Sequence, residues 1–270
     1  MTRGLGLGLV ALIGLALFFP GQTEAALSIQ PAYVQLRLDR GRPSETIAVT
    51  NLLDKDARYR IHVRHFIYGK NGGLQQVPPD EHSLAPWTKI NPREFTLPAK
   101  GRRIIRLSVI PPKNLPPGEY WGTIELEPLE GSFTEAQDPD GRTMRLEIVT
   151  SILVPIVGEV GEIQHSFEME DLSAWKTQEG IAITAHLVNT GTGRLHPMGA
   201  FEVLNASGDI ISEGLIGDDT ILAGGERIFS RVVKGDFPDP SYAVRVRYSA
   251  KRLEESVAGQ TRVTLRGPGQ

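Results

Sequence analysis

Met144–Val154, MRLEIVTSILV, alternates apolar and polar residues along its length. Successive side chains of a strand point to opposite faces, so Met144, Leu146, Ile148, Thr150, Ile152 and Val154 share one face. A polar, turn-rich stretch, Gly131–Arg142, precedes it. The pattern predicts a long strand that closes the first of two β-sandwich domains. Such a strand fills its own core, or, at a sheet edge, offers its backbone and its apolar row to another protein. Which of the two holds decides what the protein does.

The same period of two extends outward from this stretch in both directions. Tyr33–Leu38, Glu45–Asn51 and Arg58–Tyr68 alternate, the last with Tyr59, Ile61, Val63 and His65 against Arg58, Arg60, His62 and Arg64. Lys70-Asn71-Gly72-Gly73 reads as a hairpin turn, because Asn and Gly tolerate positive φ. Arg102–Ile110 and Glu119–Pro128 are the next predicted strands. Val157–Gly161 is the expected boundary. Beyond it, Glu162–Glu168, Ile181–Asn189, Gly199–Leu204, Asp209–Glu213, Thr220–Leu222, Arg227–Val233 and Tyr242–Tyr248 predict a second strand-rich unit. No stretch sustains a 3.6-residue period, and no helices separate the strands, which excludes a parallel α/β fold. About seven short strands at regular spacing indicate an immunoglobulin-like sandwich. The expectation is an all-β chain: a signal peptide over residues 1–26, an Ig-like sandwich over 27–158, a second over 159–250, and a polar tail over 251–270 with a last strand at Thr261–Leu265. The halves share a loose pattern, a strand ending at Asn51 or Asn189 and a later Tyr entering a strand.

The chain has 270 residues, 40% hydrophobic and 23% charged, with a formal net charge of -3. That is the composition of a globular protein, and it lacks the basic excess of a nucleic-acid or anionic-membrane binder. Arg3, the apolar run Leu5–Phe19 and the small residues around Ala25 form an export signal. The run, about 15 residues, is short for a bilayer span, which needs roughly 20. No stable membrane insertion is expected once it is removed, and the mature protein is expected in the periplasm or another extracytoplasmic space. There are no cysteines, so neither disulfides nor a cysteine-linked lipid contribute.

Catalytic and metal-binding patterns are missing, so no enzyme, cofactor or metal is expected. The six histidines are scattered, and His62 and His65 fall on opposite faces of one strand. Asp138-Pro139-Asp140-Gly141 lacks the ligand set of a calcium loop. There is no GxSxG or HExxH. Tyr120 and Trp121 enter one strand, so one ring faces the core and the other faces out. The basic run Arg102-Arg103-Ile104-Ile105-Arg106 reads as a solvated edge or as a carboxylate contact.

The stretch 27–157 resembles the N-terminal domain of PapD-like periplasmic pilus chaperones. Ile47-Ala48-Val49-Thr50-Asn51 is similar to that family's strand ending in Asn. Thr96–Val109, TLPAKGRRIIRLSV, is similar to its Pro-Gly strand, with Arg106 at the family's Arg. Leu115–Tyr120, LPPGEY, resembles the segment that enters the following strand. A long loop and an alternating strand then follow, as they do here. The resemblance implies that Met144, Leu146, Ile148 and Thr150 bind a pilus or other secreted subunit that lacks its last strand, by β-augmentation. The family holds the subunit's terminal carboxylate with two basic residues. Tyr33 and Leu153 stand at those positions here, which leaves Arg37 and Arg106 as candidates for the contact. The alternative reading is a non-catalytic Ig-like module that binds a cell wall or another surface, since fold does not fix function.

Overall fold

The computed structural model describes residues 27–137, 143–251, 253, 255–265 and 267, with backbone alone at 132–137 and 143–148. The leader expected over residues 1–26 and the turn at 138–142 lie outside the described residues. Alternation becomes strand along most of the rest. The first half holds β1 (Leu27–Gln30), β2 (Val34–Arg37), β3 (Ser44–Asn51), β4 (Ala57–Tyr68), β5 (Leu74–Val77), β6 (Thr88–Asn91), β7 (Glu94–Leu97), β8 (Arg102–Val109) and β9 (Gly118–Pro128). Then come β10 (Ser132–Gln137), β11 (Thr143–Ile148) and β12 (Ile152–Val160). The second half holds β13 (Phe167–Thr177), β14 (Gly180–Asn189), β15 (Pro197–Leu204), β16 (Ile210–Asp218), β17 (Glu226–Lys234), β18 (Ala243–Ala250) and β19 (Val257–Thr264). The all-β architecture of two sandwiches is as expected.

In the first sandwich one sheet has the order β1-β3-β8-β6 and the other β2-β12-β9-β4-β5, with β7 also on β4. The chain changes sheets after Gln30: β1 runs antiparallel to β3, and β2 runs parallel to β12. Ile47, Val49, Ile105 and Leu107 from one sheet meet Ile61, Ile124, Leu126, Val154 and Ile156 from the other in one buried cluster. Burying aliphatic side chains of this size contributes about 1.5–3 kcal/mol each, and no cysteine is needed.

The second sandwich is one folded sheet of order β16-β15-β18-β19-β13-β14-β17. β19 lies antiparallel to β18 and then parallel to β13 at Val263 and Thr264, so it joins the two layers. Residues expected to be a polar tail therefore supply a strand of this sheet, longer than the expected Thr261–Leu265. The first strand also differs: Glu162–Ser166 is not strand, and β13 begins at Phe167. Ile163–Ser166 is held instead by the loop after β14, through Thr192 N–H to Gln164 O and Thr190 N–H to Ser166 O. A register shift between Met169 and Asp171 moves the inward row from Phe167 and Met169 to Leu172 and Ala174. The shift breaks the period of two on which the sequence reading relied. Thr220–Leu222 forms no strand. Ile221 makes an isolated bridge to Leu195.

Candidate functional site

The strand expected to run unbroken from Met144 is two strands. β11 ends at Ile148, β12 starts at Ile152, and Thr150 lies exposed between them. The reason is a mismatch across the hairpin. Ile152 faces Leu126 and Ile148 faces Ser132, so residues 127–131 stand opposite only 149–151. The end of β9 follows β4 instead, through Tyr59 opposite Pro128 and Leu129 N–H donating to Arg58 O. The β10–β11 ribbon leaves the sandwich at this point. Met144, Leu146 and Ile148 stand in register with Ala136, Thr134 and Ser132, and their side chains lie outside the described part.

The pairing of the outer edge follows from this. Among the described residues β11 pairs with β10 alone. β12 pairs with β9 throughout, and β2 covers its other side only from Ile156 to Glu159. Among the described residues, the edge from Thr143 to Ile148, and again from Ile152 to Pro155, therefore has no strand beside it. Ile152, Val154 and Ile156 face the core, and Leu153 is half-buried opposite Glu125.

The base of this edge meets the second sandwich. Glu119 of β9, 2% exposed, accepts hydrogen bonds from the Arg194 backbone N–H and from Arg194 Nη1, each at 2.8 Å, and the Glu119 N–H donates to Thr192 O. The Arg194 guanidinium also lies 5.5 Å from the centre of the Tyr33 ring. The cation beside Tyr33 thus comes from the second sandwich, and no local pattern around Arg194 announces it. Of the two arginines considered for a carboxylate contact, Arg37 is occupied internally by Asp39 at 2.5 Å, Glu159 at 3.5 Å and Gly161 O. Its hydrogen bond holds the Asp39 carboxyl below its ordinary range. Arg106 projects to solvent from β8, in the opposite sheet. The structure does not bring the two together.

A second contact locks the sandwiches on the far side. The β4–β5 turn needs Gly72 and Gly73 at φ +98° and +81°, a region open to glycine. It brings Lys70 O to the Ile228 N–H at 2.8 Å, Gly69 O to Arg227 Nη1, and Lys70 Nζ to Glu226 at 2.8 Å. Arg227 also pairs with Asp219. The Lys70 ammonium first, with His186 beside it, holds the Glu226 carboxyl below its ordinary range. Between the two contacts Phe66, Trp121 and Val157 pack on Leu222 and Ala223. The outward ring of the Tyr120–Trp121 pair is Trp121, and it meets the chain's own second sandwich. Trp121 stacks with His82 at 4.9 Å and His65 at 5.7 Å and donates to Phe66 O. His65 is fully buried, with Nε2 3.0 Å from Asp80 but off the line of a hydrogen bond. Beside them a cavity of about 500 Å³ opens between the sandwiches. Among the described residues no group of His, Asp and Glu could hold a metal ion, and no helix is long and apolar enough to cross a membrane.

No family model matches the chain, and comparison with curated proteins finds no match in sequence. Solved structures do match. A chain of the chaperone–tip adhesin complex of CFA/I fimbriae biogenesis aligns over 88% of this chain and 99% of its own, with TM-score 0.50 and 16% identity. The class 5 fimbriae chaperone CfaA aligns over 87% and 98%, with TM-score 0.49 and 16% identity. The YadV chaperone aligns over 88% and 100%, with TM-score 0.46 and 12% identity. The likeness is one of fold: the chain has the two-sandwich fold of the PapD-like fimbrial chaperones.

Proposed function

We propose that the protein is an extracytoplasmic chaperone for a pilus or other secreted subunit, which it binds by strand addition along β11 and the start of β12. The observation that carries this reading is the edge itself. Among the described residues, strand residues from Thr143 to Pro155 pair on one side only. A long unpaired edge invites pairing with another chain, and proteins that do not use one shorten or cover it. Here the covering strand β2 stops at the level of Ile156. A subunit lacking a strand would gain main-chain hydrogen bonds from the edge, and Met144, Leu146 and Ile148 would enter its core as alternate side chains do in β-augmentation. The match in fold to fimbrial chaperones supports the same reading.

A photo-crosslinking residue placed at 146 or 148 tests this in cells. The expected product is a single small exported subunit with an incomplete sandwich, and a probe at 58, on the paired sheet, gives none. Leu146→Asp and Ile148→Asp are expected to abolish the product while circular dichroism stays native. Folded variants that keep the partner would overturn the proposal and favour the surface-binding module.

A further inference from the structure

The two sheets of the first sandwich treat charge in opposite ways. On the sheet containing β4 and β9, each outward basic side chain of β4 meets a carboxylate. Arg58 and Arg60 reach Glu94 at 2.7 and 3.3 Å, His62 reaches Glu127 at 2.9 Å, and Arg64 reaches Glu125 at 3.2 Å. The sheet β1-β3-β8-β6 carries Lys89, Arg102, Arg103 and Arg106 against one carboxylate, Glu45. Glu45 accepts from the Thr46 N–H instead of from a cation. Among the described residues none of these four cations has an ion-pair partner, and all are exposed. Opposite charges across strands stabilise a sheet face, yet Arg106 stands opposite Thr46 and Asn91, and Arg102 opposite Thr50.

The outward row of β8 is Arg102, Ile104, Arg106. Ile105 and Leu107 face the core, and Ile104 is 45% exposed between the two arginines. Two arginines four residues apart on a strand are separated by about 13 Å. The flanking residues Ser44, Thr46, Ala48, Thr50, Asn91 and Ser108 are short, and the one long neighbour, Lys89 opposite Ser108, is itself a cation. The row therefore stands clear of its surroundings.

We propose that this face is a docking surface for an acidic protein segment, with carboxylates about 13 Å apart flanking one apolar side chain. Guanidinium groups take carboxylates in bidentate pairs, and arginine around a small apolar centre is the composition of a protein interface. A phosphate polymer calls for a continuous basic track, and this chain carries a net charge of -3. A lipid surface calls for several apolar or aromatic side chains that insert together, and the row offers only Ile104 between its arginines, with Ile110 at its far end. The face lies on the opposite sheet from the β11–β12 edge, so both surfaces can be occupied at once.

The test uses the full mature chain and a fluorescein-labelled peptide carrying Glu-Ser-Leu-Ser-Glu, with a Gln-for-Glu peptide as control, at low salt. The Glu peptide is expected to bind and to shift amide resonances of β8 and β3, and the Gln peptide is not. Arg102→Ser with Arg106→Ser is expected to weaken binding about fivefold, the sum of two exposed charge pairs. Arg58→Ser with Arg60→Ser is expected to change it less than twofold. Absence of binding, equal binding of the Gln peptide, or an equal loss in the Arg58/Arg60 variant overturns the proposal. Tighter, Arg102- and Arg106-dependent binding of polyphosphate or of phosphatidylglycerol vesicles overturns the assignment to protein.

Discussion

Asn51 and Asn189 offer the sharpest check on how each sandwich holds its loops. Both are buried at the end of a strand that enters a long turn. Asn51 Nδ2 donates to Lys55 O, Leu97 O and Pro98 O at 2.8, 3.2 and 3.0 Å, and its Oδ1 accepts from the Leu53 N–H. Asn189 Nδ2 donates to Gly193 O, Ile221 O and Leu222 O at 2.9, 3.0 and 3.1 Å, and its Oδ1 accepts from the Gly191 N–H. Two amide protons are thus shared among three carbonyls in each case. Removing either side chain takes away four hydrogen bonds, but Pro98 O, Ile221 O and Leu222 O keep the N–H groups of Gly101, Leu195 and Gly225, and the Gly191 N–H keeps Ser166 O. The buried groups left short are therefore fewer than the bonds lost, at about 1–3 kcal/mol each before any rescue by water. Asn51→Ala and Asn189→Ala are each expected to destabilise by about 2 kcal/mol, which at an m-value of roughly 2 kcal/mol/M lowers the urea midpoint by ~1 M. Fluorescence of Trp87 reads the first sandwich and that of Trp175 the second. Asn189→Asp adds a sign. A buried carboxylate facing three carbonyls has its pKa raised in the folded state above about 3.9. That variant is therefore most stable, relative to wild type, below the unfolded pKa, and loses stability as pH rises through the folded value. A loss below about 1 kcal/mol in both Ala variants, or an Asp variant whose deficit is flat from acid to neutral pH, would refute this account of the two asparagines.

Three further outcomes are expected. Tyr248 is buried with its hydroxyl unpartnered, so Tyr248→Phe should raise stability by about 1 kcal/mol in a urea titration, since an unsatisfied polar group is removed. Burial also pushes the Tyr248 phenol up, so folding stability contributed by its neutral form falls as pH rises past the ordinary tyrosine value, and absorbance should show this phenol ionising only on unfolding. Arg194→Ala leaves Glu119 buried with one backbone donor; a loss of about 2 kcal/mol is expected, below the range for a fully buried pair because Arg194 is partly exposed, and the double variant with Glu119→Gln should recover part of it. At the other contact the lowered Glu226 carboxyl favours the Lys70 pair above its unfolded pKa and loses it as pH falls, so NMR residual dipolar couplings should show looser alignment of the two sandwiches in acid, as Lys70→Ala shows at neutral pH.

What the sequence discloses and what it hides follow from one physical distinction. A strand with one wet face alternates, and such strands were legible: Arg102–Val109 or Gly180–Asn189 emerge within a residue or two of expectation. Asn51 and Asn189 were visible as a shared pattern, though not their hydrogen bonds. Alternation fails where both faces are covered. His65 and Phe66 are both buried, as are Tyr120 and Trp121, because the second sandwich lies over the outer face there. Arg194 and Glu119 belong to the same contact, set by tertiary packing across 75 positions of sequence. Alternation also fails at register shifts, as at Met169–Asp171.

The stretch Met144–Val154 shows the distinction most sharply, because its period of two survives a break that the backbone makes. A one-sided row was legible there, but periodicity is blind to whether a strand has one neighbour or two. That property depends on β2, far away in sequence, stopping at Val34 opposite Ile156. It depends as well on Pro128, which lies opposite Tyr59 of β4 just where the β10–β11 ribbon parts from the sheet. Extending β2 is therefore a more discriminating perturbation than altering the row itself. Replacing Ala32 and Tyr33 with Thr and Val, residues that favour strand, would lengthen cover toward Val154 and leave Met144, Leu146 and Ile148 in place. If strand addition is the mode of binding, this variant should bind its subunit more weakly with unchanged fold; unaltered affinity, with the backbone amide at position 32 newly protected in hydrogen exchange, would mean that the edge is not where the partner sits.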